Sequence, residues 1–385
     1  MSELKTYKTI NILYIFSFRS SIASWEKSGF LDREIKFFEE VSKNKDVKFH
    51  LLTYGNKKEK EILNKSDIEV LPIFDDFKTS SKVINLMGSF LYPLLNYKKL
   101  SNIDVIKVNQ LSGSWVGLLF KFLLKKPLFI RTGYDAYLFS KHEKKPKYKQ
   151  ILFKRLTAII LKFADLYSVT SRSDEIFILD NYKFNNSKLV LRPNWVDTSY
   201  EFSQSNFDKR KSKLLSIGRL ETQKNFMFLL KSLKDTGIEI DIVGSGSLKK
   251  NLIEFAEANN IKLKILDKVS NSEILNMLKN YKYFILPSLF EGNPKSLLEA
   301  MSSGCLVFAS NINNNTEVVK DSYNGFLFDF DENFLRELLT SKILNDNNYT
   351  KILKNSLNDT RQNNSLESLV NLEVNDYSSL TNRKI

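Results

Sequence analysis

The sequence predicts an α/β fold made of two doubly wound parallel sheets in succession. Three observations carry this. The length of 385 residues suits about two domains at ~100–200 residues each. Apolar strand patterns alternate with amphipathic helical patterns through the first half, as in a parallel sheet covered on both faces. After a polar stretch at 198–212 the alternation starts again.

In the first unit the strand patterns fall at 12–16, 49–53, 69–73, 105–108, 128–131, 166–170 and 189–191. Helical patterns lie between them at 31–42, 115–124, 148–163 and 173–181. Arg192-Pro193-Asn194-Trp195-Val196-Asp197 closes this unit, giving a first domain over 1–197 and a linker over 198–212. In the second unit strands are expected at 213–217, 239–243, 262–266, 283–286 and 306–309. Helices are expected at 225–233, 249–259 and 271–278, with another after Asn293, so the second domain spans 213–345. The Asn-rich tail, 346–385, reads as helical in patches such as 349–357 and is expected to pack back on the first domain. Doubly wound sheets bind ligands beyond the carboxyl ends of their strands, and two of them imply a cleft.

Composition narrows the chemistry. One cysteine, Cys305, allows no internal disulfide, and the histidines are His50 and His142 alone. A reducing compartment fits, and a His/Cys zinc site does not. Residues 1–7 lack the apolar core of a leader, and Lys121 interrupts the most apolar run, 115–124. No stretch approaches the ~20 apolar residues of a membrane span. The expectation is a cytoplasmic protein, peripheral at the inner face of the membrane. Residues 1–200 hold 34 Lys+Arg against 21 Asp+Glu, while the rest hold 24 against 23, so the first half carries nearly all of the +14 net charge. Such a half expects an anionic partner surface. The run Lys141-His142-Glu143-Lys144-Lys145-Pro146-Lys147-Tyr148-Lys149 precedes an amphipathic helix, which suits an anionic bilayer. Aromatic residues are too sparse there for a nucleic-acid platform.

The most informative segment is Phe290-Glu291-Gly292-Asn293-Pro294-Lys295-Ser296-Leu297-Leu298-Glu299-Ala300-Met301-Ser302-Ser303-Gly304. It follows a strand that Pro287 ends. Asn293 suits an N-cap, and Pro294 suits the first helical position. Glu291 is then placed in the loop and Glu299 on the helix, beside free N–H groups that favour an anion. A second segment, Gly218-Arg219-Leu220-Glu221-Thr222-Gln223-Lys224-Asn225, sets Arg219 and Lys224 on a strand-to-helix loop where cations meet phosphates. The Gly244-Ser245-Gly246 turn lacks the third glycine of a dinucleotide fingerprint and follows the second strand of its unit.

These segments together resemble the retaining glycosyltransferases of family 4, glycosyl transferases group 1. The resemblance rests on Glu291-Gly292-Asn293-Pro294-Lys295, Leu298-Glu299-Ala300-Met301 and Gly304, with Gly218-Arg219 and Lys224 at the right distance upstream. It implies the GT-B fold, two Rossmann-like doubly wound parallel-sheet domains facing across a cleft. It implies transfer of a sugar from a nucleotide-diphospho-sugar, UDP favoured over GDP, to a glycan or lipid-linked acceptor in surface polysaccharide or lipopolysaccharide synthesis. Glu291 would bind hydroxyls of the transferred sugar, Glu299 the ribose diol, and Arg219 and Lys224 the diphosphate. Gly218, Gly244, Gly292, Asn293, Pro294, Lys295, Ser296 and Leu298 would complete the donor site in the second domain, with Gly29 from the first. No cofactor or metal is implied, since the nucleotide-sugar is a substrate.

The chain departs from that pattern in places. Asn293 stands where the family has an aromatic residue, and Lys295 where it has asparagine. The family's histidine near residues 131–135 is missing, leaving Tyr134 or Asp135 as substitutes on the sugar or acceptor side. Ser28-Gly29 replaces a glycine pair, and the loop 311–317 reaches Glu317 with Asn in place of Gly. Two other readings stand beside this one. A nicotinamide oxidoreductase needs a Gly-rich fingerprint after the first strand, and residues 12–21 have none. A non-catalytic binder of anionic polymers leaves the spacing of Arg219, Lys224, Glu291 and Glu299 without a reason.

Overall fold

The computed structural model describes residues 9–44, 46–63, 68–74, 81–344 and 348–382. Residues 1–7, read above for a leader, and the start of the tail at 345–347 lie outside them. The chain forms two compact units, Met1–Arg192 with Leu369–Ile385, and Pro193–Ser368.

The first unit runs β1 (Ile10–Ile15), α1 (Ile22–Lys27), α2 (Leu31–Asn44), β2 (Val47–Thr53), α3 (Glu59–Ile62), β3 (Ile68–Pro72), α4 (Lys82–Asn96), β4 (Val105–Asn109), α5 (Ser114–Leu124), β5 (Leu128–Arg131), α6 (Ala136–His142), α7 (Lys147–Phe163), β6 (Leu166–Val169), α8 (Arg172–Asn181) and β7 (Leu189–Leu191). The second runs α9 (Gln204–Asp208), β8 (Lys211–Ile217), α10 (Phe226–Ser232), β9 (Ile240–Val243), α11 (Lys249–Ala258), β10 (Leu263–Leu266), α12 (Asn271–Leu278), β11 (Tyr281–Leu286), α13 (Lys295–Ser302), β12 (Leu306–Ser310), α14 (Asn313–Thr316), β13 (Phe326–Phe328), α15 (Glu332–Ile343) and α16 (Thr350–Asn364). The last helix, α17 (Leu366–Thr381), carries the chain back into the first unit.

Both sheets are parallel throughout, in the orders β3-β2-β1-β4-β5-β6-β7 and β10-β9-β8-β11-β12-β13. Strand order therefore reverses at β1/β4 and at β8/β11, and ligands of such sheets sit beyond the strand ends at these reversals. Consecutive residues on the central strands are buried on opposite faces. Leu214, Ile285 and Phe308 join one core of the second unit, whereas Leu215, Phe284 and Val307 join the other. A sheet covered by helices on both faces needs such unbroken apolar strands.

Strand β4 carries a buried lysine within this pattern. Lys107 on β4 is buried, with its ammonium paired to Glu373 of α17 and 3.1 Å from the Tyr377 hydroxyl. The rings of Tyr14, Phe37, Phe129 and Tyr377 surround it at 5.3–5.6 Å. Burial lowers the Lys107 pKa, and Glu373 opposes that shift. Arg192 adds a two-pronged contact to Asp376. These charges anchor the C-terminal helix to the first sheet.

Several boundaries differ from the sequence reading. The first unit ends at Arg192, not 197, and the second extends to Ser368, not 345. The 198–212 stretch is part of the second unit rather than a linker. Phe207 is buried, and Arg210 donates to the carbonyls of Ser303 and Gly304 at 2.9 and 3.0 Å. Buried side chains of this kind tie down a polar-looking segment. Helix α13 starts at Lys295 with Pro294 as N-cap, one residue later than expected. Its carboxyl end is as read: Gly304 has φ +72, and Gly304 and Cys305 donate back to Met301 and Ala300 in a Schellman arrangement.

Candidate functional site

The loops after β8 and β11 meet at the reversal of the second sheet. Gln223 stitches them together. Its carbonyl accepts from the Leu289 amide at 2.9 Å, and its side-chain amide donates to the Phe290 carbonyl at 2.8 Å. On this frame Lys224 Nζ lies 2.5 Å from Glu291 Oε1, both side chains mostly buried at 13% and 10% exposure. Arg219 is exposed and donates to Gln223 Oε1 at 2.9 Å. The structure thus joins Lys224 and Glu291 directly and Arg219 through Gln223. Gln223 was overlooked in the sequence, where it reads as an ordinary loop residue between two charged ones.

The loop after β9 closes the same corner. The Leu220 amide donates to the Ser245 carbonyl, and the Leu248 amide to the Leu220 carbonyl. Glu221 accepts from the Ser247 amide at 2.9 Å and hydroxyl at 2.8 Å, and these bonds hold its carboxyl below the usual glutamate range. A Cβ on Gly244 would stand 1.9 Å from the Gly218 carbonyl oxygen, and one on Gly246 2.4 Å from that of Leu220. This Gly-x-Gly is therefore required by loop-on-loop packing. A Cβ on Gly218 would press on the Lys224 stem at 2.9 Å.

Beyond Glu291 the chain is held from behind. The Asn194 amide donates to Asn293 Oδ1 at 3.2 Å, and its side chain to the Asn293 carbonyl at 3.3 Å. Asn194 is in turn fixed by Asn364 Nδ2 on its carbonyl at 2.8 Å. Asn293 is thus a bracket for the loop rather than the N-cap of α13. The missed signal was Asn194 itself, in the segment read only as a domain boundary. No side chain caps α13, so its first amides face the loop end without one.

Glu299 lies one turn into α13, 5% exposed. Its Oε1 accepts from Asn271 Nδ2 at 2.8 Å and lies 3.2 Å from Lys295 Nζ. Asn271 opens α12 and was not singled out in the sequence. Leu298 is fully buried, which leaves only its main chain to face a ligand. Ser296 is half-buried on the first turn, and Gly292 precedes the Asn293 bracket.

Two first-unit residues have a structural role that the sequence did not show. Gly29, with φ +70, ends α1: its amide and that of Phe30 donate to Glu26 and Trp25, a Schellman stop that accounts for the glycine. Helix α1 is not among the elements that the sequence predicts. Asp135 is 1% exposed and caps α6, accepting from the Leu138 amide at 2.7 Å and from the Tyr182 hydroxyl at 3.3 Å. Burial raises its pKa. Tyr134 is 41% exposed with its ring against Phe139. Glu317 is exposed at the end of α14. An Asp-x-Asp spacing is present at Asp329-Phe330-Asp331, where none was expected; Asp331 caps α15, and Asp329 accepts from Asn311.

Residues 197–359 match the family described as Glycosyl transferases group 1. An Escherichia coli protein named "UDP-Gal:alpha-D-GlcNAc-diphosphoundecaprenol alpha-1,3-galactosyltransferase" is 27% identical over 278 residues, 66% of this chain and 70% of that one. A Campylobacter jejuni N-acetyl-D-galactosaminyltransferase, named for a PP-undecaprenol-linked glycan, is 30% identical over 241 residues, 60% of this chain and 63% of its own length. The crystal structure of Anabaena HepE in complex with UDP and glucose superposes with a TM-score of 0.75 at 16% identity, covering 96% of this chain and all of that one. At that identity the likeness speaks for the fold, which is GT-B. The chain is a glycosyltransferase. Its second unit carries the glycosyl transferases group 1 domain.

Proposed function

We propose that this enzyme is a retaining glycosyltransferase of family 4 that transfers a sugar from a UDP-sugar to a lipid-linked glycan in bacterial-type surface polysaccharide synthesis. The observation that carries the reading is the Lys224–Glu291 pair, which sets a cation and an acceptor side by side at the sheet reversal. The names of the relatives support a nucleotide-sugar donor and an undecaprenol-linked acceptor. UDP in the HepE structure favours UDP over GDP.

In this reading the donor parts the pair. Lys224 and Arg219 take the diphosphate, together with the first amides of α13. Glu291 accepts from hydroxyls of the sugar, and Glu299 from the ribose diol. The acceptor oxygen forms a bond to the anomeric carbon as the bond from that carbon to the diphosphate oxygen breaks. The acceptor's proton passes to the departing diphosphate on the same face, which keeps the anomeric configuration. The chain's work is then electrostatic: fixed cations and amide dipoles stabilise charge developing on the leaving group. Glu291 and Glu299 are donor ligands here, not a hydrolase acid/base pair.

A donor-hydrolysis screen across UDP- and GDP-sugars, with the product anomer read by NMR, tests this. Slow release of a sugar of retained configuration from a UDP-sugar is the expected result. Release from GDP-sugars alone, or with inversion, contradicts the nucleotide or the mechanism respectively.

A further inference from the structure

Helix α4 is built inside out. Its buried positions are Asn85, Ser89 and Pro93, spaced four apart on one face. Ser89 accepts from Trp115 Nε1 at 3.0 Å, and Asn85 donates to the Ser81 carbonyl at 2.7 Å. The opposite arc carries Val83, Met87, Phe90, Leu91, Leu94 and Leu95, between 44% and 75% exposed. A soluble helix places such side chains inward. The segment 82–100 also holds Lys82, Lys98 and Lys99 and neither Asp nor Glu, and these three lysines are exposed.

We infer that α4 is the element that seats this enzyme on an anionic lipid bilayer, lying in the interfacial layer with its aliphatic arc among the acyl chains. This deepens the membrane association that accompanies the proposed lipid-linked acceptor, and moves it from the 141–149 run to a specific helix. Charge decides between occupants. Two copies of this face would set lysine against lysine in a chain of net charge +14, whereas an anionic leaflet complements it. Length decides the mode. The helix has 15 residues, too few for the ~20 of a span, and among the described residues no helix is long and apolar enough to cross a membrane. A broad apolar face with basic flanks describes a helix that lies on the surface.

Flotation of the full-length protein with phosphatidylcholine vesicles, with and without phosphatidylglycerol, tests the inference. Binding to the anionic vesicles is expected. Met87→Glu with Leu94→Glu is expected to weaken it at least tenfold, with melting temperature and hydrolysis of a soluble donor unchanged. Lys98→Gln and Lys99→Gln are each expected to weaken it about fivefold, on anionic vesicles only. In Phe90→Trp the new indole emission is expected to shift blue when anionic vesicles are added. Absence of vesicle binding overturns the inference, as does binding that survives the glutamates with no indole shift. A dimer broken by the glutamates without any vesicle binding assigns the face to a second copy instead. Loss of donor hydrolysis in the wild type would speak against the proposed function alone, since vesicle binding is read separately.

Discussion

Lys224 and Glu291 form an ion pair 2.5 Å long between loops that follow adjacent strands at the centre of the second sheet. The pair holds opposite charges where a ligand is expected, and Gln223 supplies the rigid frame. It follows that the pair should be strong without donor and weaker with it. In a double-mutant cycle of Lys224→Met and Glu291→Gln, thermal denaturation should show a coupling of roughly 1–3 kcal/mol in the free protein. Saturating UDP should reduce that coupling, because the diphosphate takes the lysine. An unchanged coupling with UDP bound would mean that the lysine stays on Glu291.

Glu299 depends on Asn271 and Lys295 for its orientation. Glu299→Ala and Lys224→Ala should each lower sugar transfer by well over tenfold while the fold is kept. Asn271→Ala should raise the donor KM by about tenfold, the worth of one hydrogen bond to a charged group at ~1.5 kcal/mol, with kcat largely retained. Steady-state kinetics across donor concentrations separates these outcomes. Equal falls in kcat would show that Asn271 acts on the chemical step.

The anchoring of α17 rests on a buried charge pair. Removing one partner leaves the other charged and dry, so Glu373→Ala should cost about 3–5 kcal/mol in chemical denaturation. Replacing both, as Lys107→Met with Glu373→Leu, should restore most of that loss. A double variant as unstable as the single one would place the stability elsewhere in the contact.

Cys305 is fully buried, with its thiol against the Leu278 carbonyl at 3.2 Å. Burial pushes its pKa up to about 12. Thiolate is the reactive form, so the native protein should resist a thiol-specific dye at pH 8 and react fully once unfolded. The acid's pKa is raised on folding, so any stability gained from the neutral thiol is present at low and neutral pH and is lost as the pH climbs between the ordinary value and about 12. Fast labelling of the native protein at pH 8 would contradict the burial.

Much of the architecture was legible because the central strands are covered on both faces and so read as short apolar runs. The second unit's β8, β9, β10, β11 and β12 lie within two residues of their expected positions. The Glu291 to Gly304 segment was also legible, since a strand end, a proline, a small-residue helix and a glycine stop are local signals. What failed was non-local. The tail was expected to be helical and to lie on the first domain, but the partners that place α17 are far off in sequence, Lys107 being 266 residues earlier. Helix α4 was not expected, because its polar stripe faces inward and its apolar arc outward. Asp135 and Gly29 sit at the ends of α6 and α1, helices too short to show in the sequence pattern, so their capping roles were not legible. Asn194 and Gln223 carried no charge to draw notice, yet they hold the loops.

In the proposed function the sheet reversal of the second unit is a UDP-sugar site. Calorimetric titration of the wild-type chain and of Lys224→Met with UDP, GDP and NAD tests it most directly. The wild type is expected to bind UDP in preference to GDP, not to bind NAD, and to lose at least tenfold in UDP affinity with Lys224→Met. UDP binding that is indifferent to Lys224, or NAD bound in its place, would contradict it.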